Sequence, residues 1–186
     1  VTGVQTCALP IFPTSERAAA FLNDPSPDKR AKLIDELLAA PEYGQSFATE
    51  WINVFKLTTL NQRKLDSAAW QAWLAKGLNT GRGWDAIVRD TMTAIGPVSE
   101  APAGQFYYFN GDMNGKFEPK ILAGNIGQVF LGVQLQCAEC HDHPFSDWKQ
   151  TDFWATAAFF APIMSYETVE NGHTPGVMER HLDRKS

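Results

Sequence analysis

The sequence predicts an all-α fold, an irregular bundle of about six or seven helices with a CxxCH loop between the last two. Three observations predict it. Apolar residues recur at helical spacing along most of the 186 residues. Capping residues, prolines and glycines punctuate those runs at helix-length intervals. No pair of alternating segments reads as two matched strands, and no internal repeat or low-complexity tract appears.

The elements follow in order. TSERAAAFLND forms a short helix from about Ser15 to Leu22. In SPDKRAKLIDELLAA, Ser26 is the expected N-cap, Pro27 the first helical residue and Asp28 part of the first turn. Ala31, Ile34, Leu37 and Leu38 then share a face, and Pro41 ends the helix. EYGQSFATEWINVFK sets Phe47, Trp51, Val54 and Phe55 at helical spacing, with Ala48 and Ile52 beside them. DSAAWQAWLAKGL carries Trp70, Trp73 and Leu74 behind a cap at Asp66 or Ser67. RGWDAIVRDTMTAI offers Trp84, Ile87, Val88 and Thr91 before Gly96 and Pro97 stop it. Gly96 to Phe117 reads as loop. A helix from about Pro119 to Leu135 leads into the cysteine cluster, and Asp152 to Phe160 forms the last one before Pro162. From Ser165 onward the composition turns polar, without an expected packed finish.

Composition excludes several classes of function. The length suits one domain with a sizeable core. A formal charge of -5 and a pI near 5.3 leave no electrostatic footprint for nucleic acid, and no basic run suits an anionic membrane. No apolar run reaches the length of a membrane-spanning helix. Six Trp, twelve Phe and four Tyr promise a core rich in rings. Trp51, Trp70 and Trp73 are expected there, whereas Phe145, Trp148 and Trp154 adjoin the cysteine cluster. Residues 1–11, VTGVQTCALPI, lack the basic start and apolar middle of a signal peptide. They resemble a translated sequencing adapter and are set apart as non-native, which removes Cys7 from the cysteine count.

NGDMNGKFEPKI begins like a calcium loop, with Asn110, Asp112 and Asn114 at alternate positions and Gly115 at the sixth. Its twelfth position is Ile121 instead of a bidentate Glu, so a Gly/Asn-rich turn is the reading adopted.

QCAECHDHPFSDW, Gln136 to Trp148, concentrates the chemistry. Cys137-Ala138-Glu139-Cys140-His141 matches the C-x-x-C-H pattern of haem attachment. Two thiols at this spacing reach the two vinyl groups on one porphyrin edge, and the following imidazole becomes the proximal iron ligand. His143 lies too near in the chain to cross to the distal side. Met164, His173, Met178 and His181 are distal candidates, and a five-coordinate iron is the alternative. Zinc competes for the same atoms through Cys137, Cys140 and His143, or His141 in its place, with His173 as a fourth ligand. Paired zinc motifs usually occur twice, and one CxxC is present here. A redox dithiol prefers a helix N-terminus, whereas this motif follows a helix end. A local disulfide or two inert thiols complete the alternatives. Asp142, His143, Phe145 and Trp148 are the residues expected to surround the bound group. A hydrolytic metal site has Glu139 and Asp142 in its favour, without further paired carboxylates, so no catalytic residue is assigned.

VFLGVQLQCAECHDHPFSDWKQTDFWATAAFFAPI resembles the hallmark of the planctomycete cytochrome-c-like domain family, a domain of unknown function in large secreted multidomain proteins. FLNDPSPDKRAKLIDELLAAPEYGQSFATEWINVFKL is similar to that family's opening. The likeness covers residues 12–163, which leaves 164–186 as a polar continuation expected to be truncated. It departs in INVFKLTTLNQRK, where relatives carry a more Asp-rich run. The resemblance places the family's Cys-x-x-Cys-His on Cys137, Cys140 and His141, and its His-Pro-Phe on His143, Pro144 and Phe145. It implies export, with a signal peptide outside this fragment, and neighbouring cytochrome-like and C-terminal domains in the same polypeptide. The leading expectation is a module binding one covalent haem c for electron transfer to a redox partner, rather than a catalytic domain by itself. The other is a non-redox structural or interaction domain whose Cys/His cluster binds zinc or forms a disulfide.

Overall fold

Capping side chains, prolines and glycines set most of the observed boundaries. The computed structural model describes residues 13–55, 67–110, 117–168 and 174–179. Helix α1 (Ser15–Asn23) opens where Thr14 Oγ1 accepts the Arg17 N–H. Asp24 then accepts the Ser26 N–H at 2.8 Å, making a side-chain-closed turn. That turn displaces the expected cap: Asp28, not Ser26, precedes α2 (Lys29–Ala39). Pro41, whose fixed φ suits a first helical position, starts α3 (Pro41–Phe55). Helices α4 (Ser67–Asn79) and α5 (Trp84–Thr93) follow, and the Asp66 alternative for the α4 cap lies outside the described residues.

Helices α3 and α4 meet backbone to backbone. A Cβ on Gly44 would lie 2.5 Å from the Ala75 carbonyl oxygen, so only glycine permits this approach. Asn79 secures it, accepting the Gly44 N–H at 2.9 Å and donating to the Pro41 carbonyl at 2.9 Å. The core grows from this contact. Phe55 stands edge-on to Trp70 and Phe106, with ring centroids 5.1 and 5.3 Å away, and it also touches Phe130. Trp70 is buried as expected, while Trp51 and Trp73 are half-buried against the same cluster.

The stretch expected to be loop contains more structure than its glycines suggest. After β1 (Gly96–Pro97) come a 3₁₀ turn, η1 (Pro102–Gly104), and a short helix, α6 (Gln105–Phe109). Phe106, Tyr107 and Tyr108 are all buried there. The Tyr107 hydroxyl donates to the Met92 carbonyl, and burial pushes its pKa up to about 12. Helix α7 (Pro119–Leu131), a second 3₁₀ turn, η2 (Leu135–Ala138), and α8 (Gln150–Ala158) complete the helical body.

Eight α-helices among the described residues make the chain mostly helical, as predicted, with the CxxCH segment between the last two. The sequence reading finds no strand pair, yet β2 (Ile163–Thr168) and β3 (Thr174–Glu179) form an antiparallel hairpin, with β3 central in the order β1-β3-β2. The polar end therefore has a packed finish. Val177 is fully buried, and the Tyr108 hydroxyl donates to the Gly176 carbonyl at 2.8 Å. The apolar face that marks α2, with Ile34, Leu37 and Leu38, faces solvent. Their period marks a helix, but no residue of α1 or α2 is buried. No described helix is long and apolar enough to cross a membrane.

Candidate functional site

The cysteine turn is built by the end of α7. Gly132, at φ +66°, takes the left-handed conformation that stops the helix after Leu131, four residues before the end expected from apolar spacing. The chain doubles back and η2 packs on α7 over two glycines. A Cβ on Gly127 would lie 2.8 Å from Leu135 Cβ, and one on Gly124 would lie 2.2 Å from Gln136 Cγ. Side chains three residues apart eclipse in a 3₁₀ helix. Leu135 and Ala138 accordingly turn inward, into a small cluster with Ala123 of α7 and Phe153 and Ala157 of α8. Cys137 and Cys140, one residue earlier and two residues later than Ala138, are both exposed and unpaired. The motif thus has one side in a core and the other in solvent.

Polar anchors hold this turn to its neighbours. Glu139 pairs with Lys120 of α7 at 3.3 Å, and its carbonyl accepts from Gln150 Nε2 at 3.2 Å and Trp154 Nε1 at 3.1 Å. Asp142 accepts the Gln150 backbone N–H at 3.0 Å and pairs with Lys149 at 3.3 Å. The Gln150 N–H, followed by the Lys149 side chain, holds the Asp142 carboxyl below the usual carboxylate range. Asp152 accepts the Lys149 N–H at 2.9 Å, so two carboxylates serve the first turn of α8. Farther along, the His143 N–H donates to the Trp148 carbonyl at 2.8 Å.

The two histidines of the cluster are placed in opposite chemical states. His141 Nδ1 is 2.7 Å from the Asp142 carbonyl oxygen. A carbonyl only accepts, so Nδ1 carries the proton and Nε2 keeps its lone pair for a metal. His143 Nδ1 instead accepts the Phe145 N–H at 3.2 Å. The neutral ring is then protonated on Nε2, and neither nitrogen offers a free lone pair. His141 is exposed, whereas His143 is half-buried beside Phe145, with ring centroids 6.5 Å apart.

Of the expected surrounding residues, Asp142 is bonded into the turn and Trp148 packs against the small cluster beneath it. Phe145 is 93% exposed, with its ring beside His143. Met164 and Met178 are brought together as cross-strand partners in the β2–β3 hairpin. His173 and His181 lie outside the described residues, as do Asp112, Asn114 and Gly115 of the rejected calcium loop. Among the described residues no three His, Cys, Asp or Glu side chains converge as a metal site. Lys120 and Gln150 carry no motif signal, although Gln150 and Trp154, four apart on α8, share the face that meets the turn.

These residues fit a covalent haem. It needs two free, accessible thiols at C-x-x-C spacing and a histidine whose Nε2 is available, and Cys137, Cys140 and His141 supply them. No curated protein and no solved structure matches the chain. A family model described as PSCyt2, Protein of unknown function (DUF1549), matches residues 7–165. The chain therefore belongs to the PSCyt2 family, the planctomycete cytochrome-c-like domain that its CxxCH segment resembles.

Proposed function

We propose that this domain holds one c-type haem and passes electrons between modules of an exported multidomain polypeptide. Cys137 and Cys140 hold it by thioether bonds, each S–H adding across one vinyl double bond without need of an oxidant. His141 would hold the iron through Nε2, the nitrogen that the Asp142 carbonyl leaves free. When bound, the haem iron supplies a one-electron couple. The chain's own residues do the rest: Asp142 orients His141 through its carbonyl, and Glu139 ties the turn to α7 and α8. Covalent attachment of this kind suits an extracytoplasmic location and neighbouring cytochrome-like or C-terminal domains as partners.

The observation that carries this reading is the contrast between the two histidines. His141, which directly follows Cys140 as haem attachment requires, is pre-set as a ligand, and His143, one of the two histidines open to the zinc alternative, is not. Exposed free thiols likewise favour an incoming group over a closed disulfide.

The test is the intact mass and visible spectrum of residues 12–186, exported from a host with active haem-attachment machinery. A mass gain of one haem with a Soret band is expected, and Cys137→Ser should leave at most one thioether. A folded, colourless, unmodified chain would sink the reading, and metal analysis of that sample would then separate zinc from a disulfide.

A further inference from the structure

The outer face of α8 exposes large apolar side chains beside a single Thr151, where a surface helix usually carries charge. Its inner face buries Phe153 and Ala157. On the opposite side Trp154 is 48% and Phe159, the residue after the helix, 79% exposed, with Ala155 and Ala158 exposed beside them. The only charged residue of α8 is Asp152, whose carboxylate is already committed to the Lys149 N–H. Large apolar side chains exposed together on one strip of a surface helix are normally covered.

Trp154 ties this uncovered face to the cysteine turn. Its Nε1–H donates to the carbonyl of Glu139, the residue immediately before Cys140. The indole is thus anchored to the backbone of the CxxC segment itself, whose two thiols are exposed. From Trp154 to Phe159 the face extends about 7 Å along the helix axis, a length one planar macrocycle can cover.

We propose that Trp154, Ala155, Ala158 and Phe159 form the apolar wall of the haem site, with Trp154 as the contact residue and the porphyrin as the occupant. The inference rests on the haem reading and adds to it the surface that shields the ring from water. Continuity with the attachment residues favours the macrocycle over a protein partner: the wall begins at the backbone that carries Cys140. The Trp154 N–H contributes separately, by fixing where the indole sits against the turn.

The test uses the full chain produced without haem attachment and titrated with metal-free protoporphyrin, which has no iron for His141 to bind. Trp154→Ala is expected to weaken binding tenfold or more, and Phe159→Ser severalfold. Trp154→Phe, which keeps a ring but loses the N–H, should lie between Trp154→Ala and wild type. Ile34→Ser, on the exposed face of α2, should change nothing. No binding by wild type, a Trp154→Ala affinity within twofold of wild type, or an equal loss from Ile34→Ser would overturn the wall. The haem-loaded protein gives a second readout, because Trp154→Ala should keep the haem mass while its Soret circular dichroism collapses. A wild-type chain that gains haem, with Trp154→Ala unaltered in both readouts, overturns the wall alone. A wild-type chain that never gains haem mass overturns the attachment reading and the wall with it.

Discussion

Gly127 and Leu135 stand so close that a Cβ on the glycine would lie 2.8 Å from the Cβ of the leucine and 3.2 Å from the Val133 carbonyl oxygen. Neither atom can swing aside, because one is backbone and the other is bonded to it. Gly127→Ala should therefore lower stability by about 1–2 kcal/mol, as overpacking outweighs the helix propensity gained. Gly124→Ala should be nearly neutral, since its near neighbours belong to the exposed Gln136 side chain, which can rotate away. Urea unfolding of both variants checks the contrast, and equal losses would refute it.

The two residues between the cysteines differ in what they tolerate. Ala138 is fully buried against Leu135 and Phe153, whereas the Glu139 side chain lies at the surface with Lys120. Ala138→Leu should cost about 1–3 kcal/mol by overpacking. Glu139→Gln should leave stability within about 0.5 kcal/mol, as expected for an exposed ion pair. Thermal unfolding would reveal a reversed order.

Tyr107 makes stability fall at high pH. Burial raises its folded pKa to about 12, above the ordinary tyrosine value of 10.0, so the unfolded chain releases this proton first. The stabilisation is complete below the unfolded value and is lost as pH rises through the folded one. On the order of 2 kcal/mol should disappear between those limits. Tyr107→Phe, compared with wild type by denaturant unfolding at both ends of that window, should remove this part of the pH dependence.

Gln105 is fully buried, and among the described residues neither its Oε1 nor its Nε2 has a hydrogen-bond partner. Gln105→Met keeps the length and removes the unpaired amide, and it should raise stability by about 1 kcal/mol. A fall in the unfolding midpoint would show instead that an internal water satisfies the amide.

Much of the helical body was legible in the chain because its signals are local. Pro41, Pro119 and the Trp- and Phe-bearing periods mark helices through backbone restriction and spacing, which no distant contact needs to ratify. Between Gly96 and Asn110 the structure departs from the expected loop for the converse reason. The glycines and prolines there outweigh five residues of helix, and what holds that helix is ring packing: Phe106 on Phe55 of α3, Tyr107 and Tyr108 on Phe117. The stripe on α2 shows the limit of periodicity, which defines a face but not what covers it.

By itself the sequence determined the helical class and the spacing of Cys137, Cys140 and His141, since both are properties of neighbouring residues. Only the tertiary structure decided which histidine keeps a free lone pair, because the Asp142 carbonyl and the Phe145 N–H select opposite tautomers. It also decided that β3 completes a sheet and that Trp154 reaches the cysteine turn. Strand pairing and long side-chain reach join residues far apart in the chain, and their energy appears only once α7, η2 and α8 have closed on Leu135, Ala138 and Phe153.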